Sequence, residues 1–341
     1  MKKLLNTLYV MTDNAYISLD GETAVISVEK KTLGKIPLHT IDGITTFSYV
    51  GVSPALMGKC AEYNKPIVFL SPQGKFLARS IGKQYGNILL RKVQFTLEEQ
   101  KRFQIAKNMI SAKIYNCSSV LRRASSDYPE RLNGDLLRSI ENDMKEGARS
   151  VFFLKTPDSL RGLEGECASK YFSVFDQLIL QQKEEFVFTG RNRRPPTDYV
   201  NALLSFGYAL LTSMCVSALE SVGLDPYLGF FHTDRAGRCS LALDLEEEFR
   251  AYLVDRFVLS IINRKMITAN SFMKKENGSV LLTENGRKIF LRTWQERKKE
   301  VIIHPFLKEK VEIGLLPYVQ ALLLARFLRG DMDDYPPFLW K

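Results

Sequence analysis

The spacing of the apolar residues changes once along this chain of 341 residues, and that change limits the folds it can adopt. Before residue 86, short runs rich in β-branched and aromatic residues alternate with turn residues, which is typical of β-strands. After Thr96, apolar residues recur every three or four positions, which is typical of amphipathic helices. We therefore predict an α+β fold. A small N-terminal β-rich domain spans residues 1–90, and a larger, mainly α-helical domain spans residues 96–341.

Local signals in the first domain predict a hairpin and a short helix. Asp20-Gly21 separates two strand-like runs, and Asp-Gly is a strong hairpin signal. Pro54 follows Ser53 where a short apolar segment begins, which is typical of the first turn of a helix. No cluster of catalytic residue types stands out here. We expect this domain to serve dimerisation, assembly or DNA contact.

The charge balance points to a polyanionic partner. Lysine and arginine number 48 against 38 aspartates and glutamates, a formal net charge of +10. A surplus of this size permits binding to nucleic acid or to an anionic membrane surface. The apolar runs break off well short of about 18 residues, so no membrane span is expected.

Cysteine usage and the N-terminal residues favour a cytoplasmic protein. The five cysteines are scattered and contain no Cys-x-x-Cys pair, which favours reduced thiols over a disulfide scaffold or a zinc ribbon. The N-terminal residues lack the apolar core of a signal peptide.

A histidine and paired acids lie within residues 225–250. A loop punctuated by proline and glycine carries His232, and an apolar segment then carries Asp244 and Glu247. A helix that starts near Ser240 places these carboxylates three residues apart on one face, over which the loop could fold back. Carboxylates in an apolar segment need a bound partner, and imidazole with carboxylate is a ligand set for a divalent ion. The alternative is a satisfied helix-start acid and an ordinary loop histidine.

A second acidic candidate is Glu164, on a helix predicted over residues 159–172. Gly162 and Gly165 flank it, although each glycine inside a helix costs roughly 1 kcal/mol relative to alanine. Two such residues indicate a close approach of backbone or ligand around Glu164. The alternative is that Glu164 and Glu166 are solvent-facing acids near a helix start.

A cationic loop precedes an almost wholly apolar helix. Arg191, Arg193 and Arg194 lie close together, and arginine suits phosphate recognition, so this loop is a candidate grip on a DNA backbone. A solvated basic loop explains the same residues. The helix that follows, over residues 201–211, should form the core of the second domain. Asn201 on it could orient a ligand or cap the helix.

Three segments in this order resemble one family. They are Leu-Arg-Gly-Leu-Glu-Gly at 160–165, the apolar helix at 201–211, and His232 followed by Ser-Leu-Ala-Leu-Asp-Leu-Glu-Glu-Glu-Phe-Arg at 240–250. Together they resemble the CRISPR-associated integrase of spacer acquisition, the first-numbered Cas protein, over nearly the whole chain. Arg-Arg-Pro-Pro at 193–196 and the terminal Pro-Phe-Leu-Trp further resemble the branch found in type I-C systems.

This resemblance implies a homodimeric, divalent-metal-dependent DNA endonuclease and integrase. The metal ligands of the family fall on Glu164, His232 and Glu247, and Asp244 matches an additional acid one turn earlier. These four are therefore the candidate catalytic residues, with Mg²⁺ or Mn²⁺ as the ion. The last ligand is often aspartate in relatives, and Glu247 is one methylene longer. The resemblance also implies spacer-precursor and repeat DNA as partners, and a small second adaptation protein that bridges two dimers.

The implied reaction is attack by a DNA 3′-hydroxyl on a phosphodiester of the CRISPR repeat. Water in place of the hydroxyl gives nuclease activity. His232 could be a metal ligand or a proton carrier. One alternative is a non-catalytic DNA-binding scaffold of the adaptation complex that is indifferent to divalent metal. Another is a hydrolase of small phosphoesters. The basic surplus favours DNA, and the four-residue set favours catalysis.

Overall fold

The computed structural model describes residues 7–12, 14–47, 50–71, 76–80, 82, 88–192 and 195–340. The chain forms two compact units. The first, here the β unit, comprises Met1–Tyr85, Leu282–Glu300 and Glu312–Leu315. The second, here the helical unit, comprises Gly86–Leu281, Val301–Val311 and Leu316–Lys341. The α+β class is confirmed, and the split at residues 90–96 stays a prediction.

Two sheets form the β unit. Their strands are β1 (Thr7–Val10), β2 (Tyr16–Asp20), β3 (Thr23–Val28), β4 (Lys31–Pro37), β5 (Gly43–Thr46), β6 (Ile67–Leu70) and β7 (Phe76–Ser80). One sheet pairs β2, β3 and β4 antiparallel. Gly21 lies in the β2–β3 turn at φ 59°, which confirms the predicted hairpin. The other sheet runs β1-β5-β6-β7, with the first three parallel and β7 antiparallel to β6.

The helices of the chain lie mostly after residue 86. They are α1 (Pro54–Glu62), α2 (Ile88–Phe95), α3 (Glu99–Asp127), α4 (Gly134–Ser150), α5 (Pro157–Ser173), α6 (Tyr199–Ser221), α7 (Ser240–Glu247), α8 (Arg256–Asn263), α9 (Glu284–Lys299) and α10 (Leu316–Leu328). Four short strands form two pairs, which are β8 (Phe272–Lys274) with β9 (Val280–Leu282), and β10 (Val301–Ile303) with β11 (Lys310–Glu312).

The core of the β unit lies between its sheets and α1. Ile17, Leu38, Ile44 and Ile67 are at most 1% exposed there. Ser53 caps α1 by accepting a hydrogen bond from the backbone of the first turn, as the Ser-Pro signal predicts. Helix α9 also belongs to this unit, although it follows the β1–β7 region by some 200 residues.

The long helices α3 and α6 organise the helical unit. Helix α3 packs against α4, α5 and α7, and α6 packs against α7 and α10. By length and composition, α6 could cross a membrane, with a mean hydropathy of 1.7 over its most apolar window. In the sequence, scattered polar residues interrupt this segment, so no apolar run of that length was expected. Of that window, 61% is buried inside the protein, which is the pattern of a core helix and fits the predicted core role.

The C-terminal residues pack onto the helical unit as an extended arm. Glu248, which follows α7, accepts hydrogen bonds from the Tyr335 hydroxyl at 2.5 Å and from the Phe338 backbone at 2.7 Å. Asn116 on α3 donates to the Phe338 carbonyl at 2.8 Å and accepts from the Trp340 backbone at 2.8 Å. Tyr335 and Phe338 of the arm, both 0% exposed, are therefore part of the core of this unit.

Replacing Glu248 by alanine should strongly destabilise the helical unit. The change removes the acceptor of the Tyr335 hydroxyl and of the Phe338 backbone N–H, whereas the Gln320 amide keeps the Tyr335 hydroxyl and the Pro336 carbonyl as acceptors. We expect the free energy of unfolding to fall by about 3–5 kcal/mol in urea titrations. Glu276→Ala, at an exposed position, is the control and should change it by less than about 0.5 kcal/mol. An equal, small effect of both substitutions would show that the arm contributes little.

Candidate active site

Helix α5 brings Glu164 towards α3. Thr156 caps the helix by accepting a hydrogen bond from the Ser159 backbone at 3.2 Å, and proline occupies its first turn. At Gly147 on α4, a Cβ would lie only 2.9 Å from the Cys167 sulfur, so this glycine permits the close packing of α4 and α5. The Glu164 side chain is 21% exposed.

The two glycines beside Glu164 leave open space. Apart from the adjacent residues and the backbone of α5 itself, a Cβ added at Gly162 or Gly165 would meet no heavy atom of the described chain within 4 Å. A close approach of protein backbone, one of the two reasons considered for these glycines, is therefore wrong. Approach of a ligand along this face of α5 stays a prediction.

Lys113 on α3 joins Glu164 to Glu247. Its Nζ lies 2.5 Å from Glu164 Oε1 and 2.7 Å from Glu247 Oε2. Burial lowers the pKa of Lys113, but the carboxylates of Glu247 and Glu164 outweigh burial and raise it above its ordinary value. The two predicted acids, 83 residues apart in sequence, thus share one buried cation.

Arg250 supplies a second cation to Glu247. Its Nη1 donates to Glu247 Oε1 at 2.9 Å, and its guanidinium lies 4.1 Å from the centre of the Tyr208 ring. Burial would raise the pKa of Glu247, but Arg250, Lys113 and, more weakly, His232 hold it well below its usual range. Glu247 is therefore ionised at neutral pH, as a cation ligand must be.

A π-helical segment, Arg250–Asp255, follows α7 and aims two charged side chains into the unit. Such segments are rare in proteins, and those that occur often lie at functional sites. Asp255 accepts hydrogen bonds from the Tyr208 hydroxyl at 2.5 Å and the Tyr171 hydroxyl at 3.1 Å. Burial raises the pKa of Asp255 to about 6 against the lowering effect of those contacts.

Three consecutive glutamates, two at the end of α7 and one directly after it, have three different partners. Glu246 accepts a hydrogen bond from the Thr212 hydroxyl of α6, Glu247 meets Lys113, and Glu248 holds the C-terminal arm. Burial raises the pKa values of Glu246 and Glu248 to about 7. Glu247 is the residue of this run that faces Glu164, as the predicted ligand set requires.

Asp244 fixes the loop that carries His232. Its carboxylate accepts the backbone N–H groups of Phe230, Phe231 and His232 at 2.6, 3.0 and 2.9 Å. Asp244 Oδ1 also lies 2.6 Å from His232 Nδ1. Because a carboxylate accepts, the ring donates from Nδ1 and presents Nε2 for another contact. These contacts hold the loop over α7, as predicted. Asp244 therefore acts as a positioning residue for His232.

Close packing holds this loop against α7. The Pro226 carbonyl accepts the backbone N–H groups of Leu241 and Ala242 at 3.0 and 3.2 Å, which satisfies the start of the helix. At Gly229, a Cβ would lie 2.7 Å from the Ser240 Cβ and 3.0 Å from Asp244 Oδ2. Only glycine fits there, so the position of His232 depends on it.

The structure thus groups the predicted residues as two pairs. Glu164 and Glu247 share Lys113, and His232 is bonded to Asp244. Within the described part of the chain, no three His, Cys, Asp or Glu side chains converge into a ready metal site. Sequence reasoning missed Lys113 and Arg250. Both residues could have been noticed in the sequence. Lys113 is a lone charge among mostly uncharged residues of a predicted helix, and Arg250 lies three positions after Glu247, which is the spacing of an ion pair on a helix.

Hydrogen bonds to α6 hold the arginine loop, which is the segment that carries Arg191, at its Arg191 end. Arg191 Nη1 donates to Asn201 Oδ1 at 2.5 Å and Nη2 donates to Ser205 at 3.1 Å. Asn201 is fully buried, and its amide donates to the Gly190 carbonyl at 2.8 Å. Asp198, not Asn201, caps α6. Asn201 therefore holds the loop and has no exposed surface for DNA. Arg193 and Arg194 lie outside the described residues.

Together, the α+β fold and the site define a two-unit protein whose helical unit holds an acidic centre paired with Lys113 and Arg250. The family model of the CRISPR associated protein Cas1 matches residues 8–296. The chain is 48% identical to a CRISPR-associated endonuclease Cas1 of Rhodospirillum rubrum and 46% identical to one of Chlorobaculum tepidum, each over the full length of both chains. It therefore belongs to the Cas1 family.

A solved structure shares the fold. The chain aligns with a casposase bound to its integration product at a TM-score of 0.84 and 23% identity, over 99% of this chain and 95% of the other. At this identity the similarity concerns the arrangement of the backbone.

Asp244→Asn should disorder the His232 loop. An amide presents N–H groups to donors that now meet a carboxylate, so at least one buried donor loses its partner, at about 1–3 kcal/mol. We expect a lower melting temperature and a loss of the single His232 tautomer in ¹⁵N imidazole shifts. Asp135→Asn, with a carboxylate that is 96% exposed, is the control. An unchanged tautomer in Asp244→Asn would contradict the positioning role.

Glu246→Gln should change the pH dependence of stability. The folded pKa of about 7 lies above the ordinary 4.5, so the stabilisation from the protonated form is complete below 4.5 and is lost as pH rises through 7. The amide stays neutral and can accept from Thr212. Relative to wild type, the variant should gain stability on the order of 3 kcal/mol between pH 4.5 and 8 in urea titrations. A difference that is constant across this range would contradict the raised pKa.

Proposed function

We propose that this protein is a divalent-metal-dependent DNA integrase and endonuclease that inserts spacer DNA into a CRISPR array. The observation that carries the proposal is the pair Glu164 and Glu247, held by a buried cation in the unit that also orients His232. Family membership supports it, since two full-length relatives are named as CRISPR-associated endonucleases. The casposase, whose structure contains an integration product, has the same fold.

The residues suit a Mg²⁺ or Mn²⁺ ion in their chemistry. Glu247 Oε2 is buried, and the contact that this oxygen makes is with the ammonium of Lys113, 2.7 Å away, so a cation already neutralises its charge. Glu164 and Glu247 would hold the ion, and Nε2 of His232 would be the third ligand. Carboxylate oxygens with one imidazole are ligands that Mn²⁺ and Mg²⁺ accept. When bound, the ion would lower the pKa of an attacking hydroxyl and neutralise charge on the phosphate.

The reaction is a transesterification that needs no external energy. A bond forms between the attacking 3′-oxygen and phosphorus as the phosphodiester bond of the repeat strand breaks, so one diester replaces another. The chain contributes positioning and electrostatics. His232, held by Asp244 through Nδ1, offers Nε2 either to the ion or to the proton of the attacking hydroxyl.

DNA would approach along the open face of α5. Gly162 and Gly165 leave space beside Glu164, and the net charge of +10 favours the phosphate backbone. We assign backbone contact in the arginine loop to Arg193 and Arg194. Arg191 supports the loop from within, together with Asn201.

The assembly follows from the family resemblance. We propose a homodimer in which residues 1–90 serve assembly and residues 96–341 catalyse, and a small second adaptation protein that bridges two dimers. The type I-C branch is proposed on the Arg-Arg-Pro-Pro loop and the Pro-Phe-Leu-Trp end, which packs as part of the C-terminal arm. Five free thiols support a cytoplasmic location without membrane contact.

A strand-transfer assay tests the proposal. It combines a short duplex with free 3′-hydroxyls, a supercoiled plasmid that bears a repeat, the bridging partner, and Mg²⁺ or Mn²⁺. We expect metal-dependent joining that Glu164→Ala, Glu247→Ala and His232→Ala each reduce by about 100-fold or more, with DNA binding retained. Glu166→Ala is the matched control, because this side chain lies two residues along α5 and is 61% exposed.

The assay separates the proposal from its alternatives. Wild-type protein that binds DNA but never joins it, with or without metal, would favour the non-catalytic scaffold. Joining that survives the loss of Glu164 and Glu247 would place the reaction elsewhere in the chain.

A further inference from the structure

Lys113 is a lone charge on a buried face of α3. Its neighbours Ile110, Ala112 and Ile114 are at most 1% exposed, and its own side chain is 13% exposed. A lysine at such a position is costly unless it is paired. Both of its partners, Glu164 and Glu247, are the proposed ligands of the catalytic ion.

The contacts of Lys113 are those of a counter-ion. Its Nζ spans two carboxylates on different helices, at 2.5 and 2.7 Å. Both contacts pair an ammonium group with a carboxylate at short distance, so the attraction of opposite charges supplies much of their strength. The site therefore favours a cation between these oxygens, whether that cation is an ammonium group or a metal ion.

We propose that Lys113 is an internal counter-ion that occupies the cation position of the metal-free protein and that the divalent ion must displace. The second half of this inference rests on the proposed function, because it takes the metal to bind Glu164 and Glu247. The first half concerns the metal-free protein alone.

The fold provides room for the displaced ammonium. A cavity of about 40 Å³, which is the scale of a single water molecule, adjoins the site. Its lining includes Lys113, Glu164, Arg250 and the carboxylate residue Asp255. The flexible four-carbon stem of lysine can re-aim its ammonium group within such a space.

This arrangement has two consequences that can be measured. Without metal, Lys113 prevents the carboxylates of Glu164 and Glu247 from repelling each other, so the site keeps its shape. With metal, the ion must compete with a positive charge that is part of the chain, so the affinity for the metal is weaker than the two carboxylates alone would give. Removing Lys113 should therefore lower metal-free stability and raise metal affinity.

The test is Lys113→Met, which keeps the length of the side chain and removes its charge. Calorimetric titration with Mn²⁺ should give binding at least tenfold tighter than wild type. The melting temperature in EDTA should fall by several degrees, and Mn²⁺ should restore it by more than in wild type. Lys101→Met is the matched control on the same helix, because its side chain is 60% exposed, and it should change neither quantity.

Lys113→Gln covers the case in which the methionine variant does not fold without metal. Its amide can donate to one carboxylate but carries no charge, so its Mn²⁺ affinity should also rise. Unchanged or weaker Mn²⁺ binding in both variants, while wild type binds Mn²⁺, would overturn the inference and leave the proposed function intact. Wild type that binds no divalent ion and joins no DNA would overturn the proposed function. The displacement of Lys113 by a metal ion would then be wrong as well. A lower melting temperature of the Lys113 variants in EDTA would still support Lys113 as a counter-ion in the metal-free protein.

Discussion

The ion pair that Lys113 forms with Glu164 and Glu247 is the contact on which the site depends. It joins α3, α5 and α7, three helices that are distant in sequence. Isolated charges in such a place would be strongly unfavourable, so each helix can bury its charged residue only when the other two are in position. Arg250 extends the network to Tyr208 and, through it, to Asp255.

The end of α7 distributes its acids over the whole unit. Successive residues on a helix point about 100° apart, and Glu246, Glu247 and Glu248 accordingly face α6, α3 and the C-terminal arm. One turn earlier, Asp244 anchors the loop of His232. This short helix and the residue after it thus position the proposed reacting groups and the C-terminal arm. Each of the closely spaced buried carboxylates has its own partner.

Patterns that depend on near neighbours could be predicted from the sequence. The hairpin at Asp20-Gly21, the start of α7 at Ser240 and the folding of the His232 loop over α7 follow from turn chemistry and helical spacing. Long-range pairing could not be predicted, because nothing local specifies that Lys113 meets both glutamates. For the same reason, the sequence could not predict that α9 belongs to the β unit.

Three residues show that a residue type can be informative while its role depends on the fold. Asn201 is an unusual polar residue in an apolar helix, and tertiary packing makes it a buried support for the Arg191 loop. Gly162 and Gly165 flank Glu164, and the described chain leaves the space beside them open, so the approach of a ligand there stays a prediction.

The most direct test of the account is a crystal structure of the protein soaked in Mn²⁺, with the ion located by its anomalous scattering. One strong peak should lie between the carboxylates of Glu164 and Glu247, with the ammonium of Lys113 moved away from its present position. A peak at another place in the chain, or an ion between these glutamates with Lys113 unmoved, would contradict it.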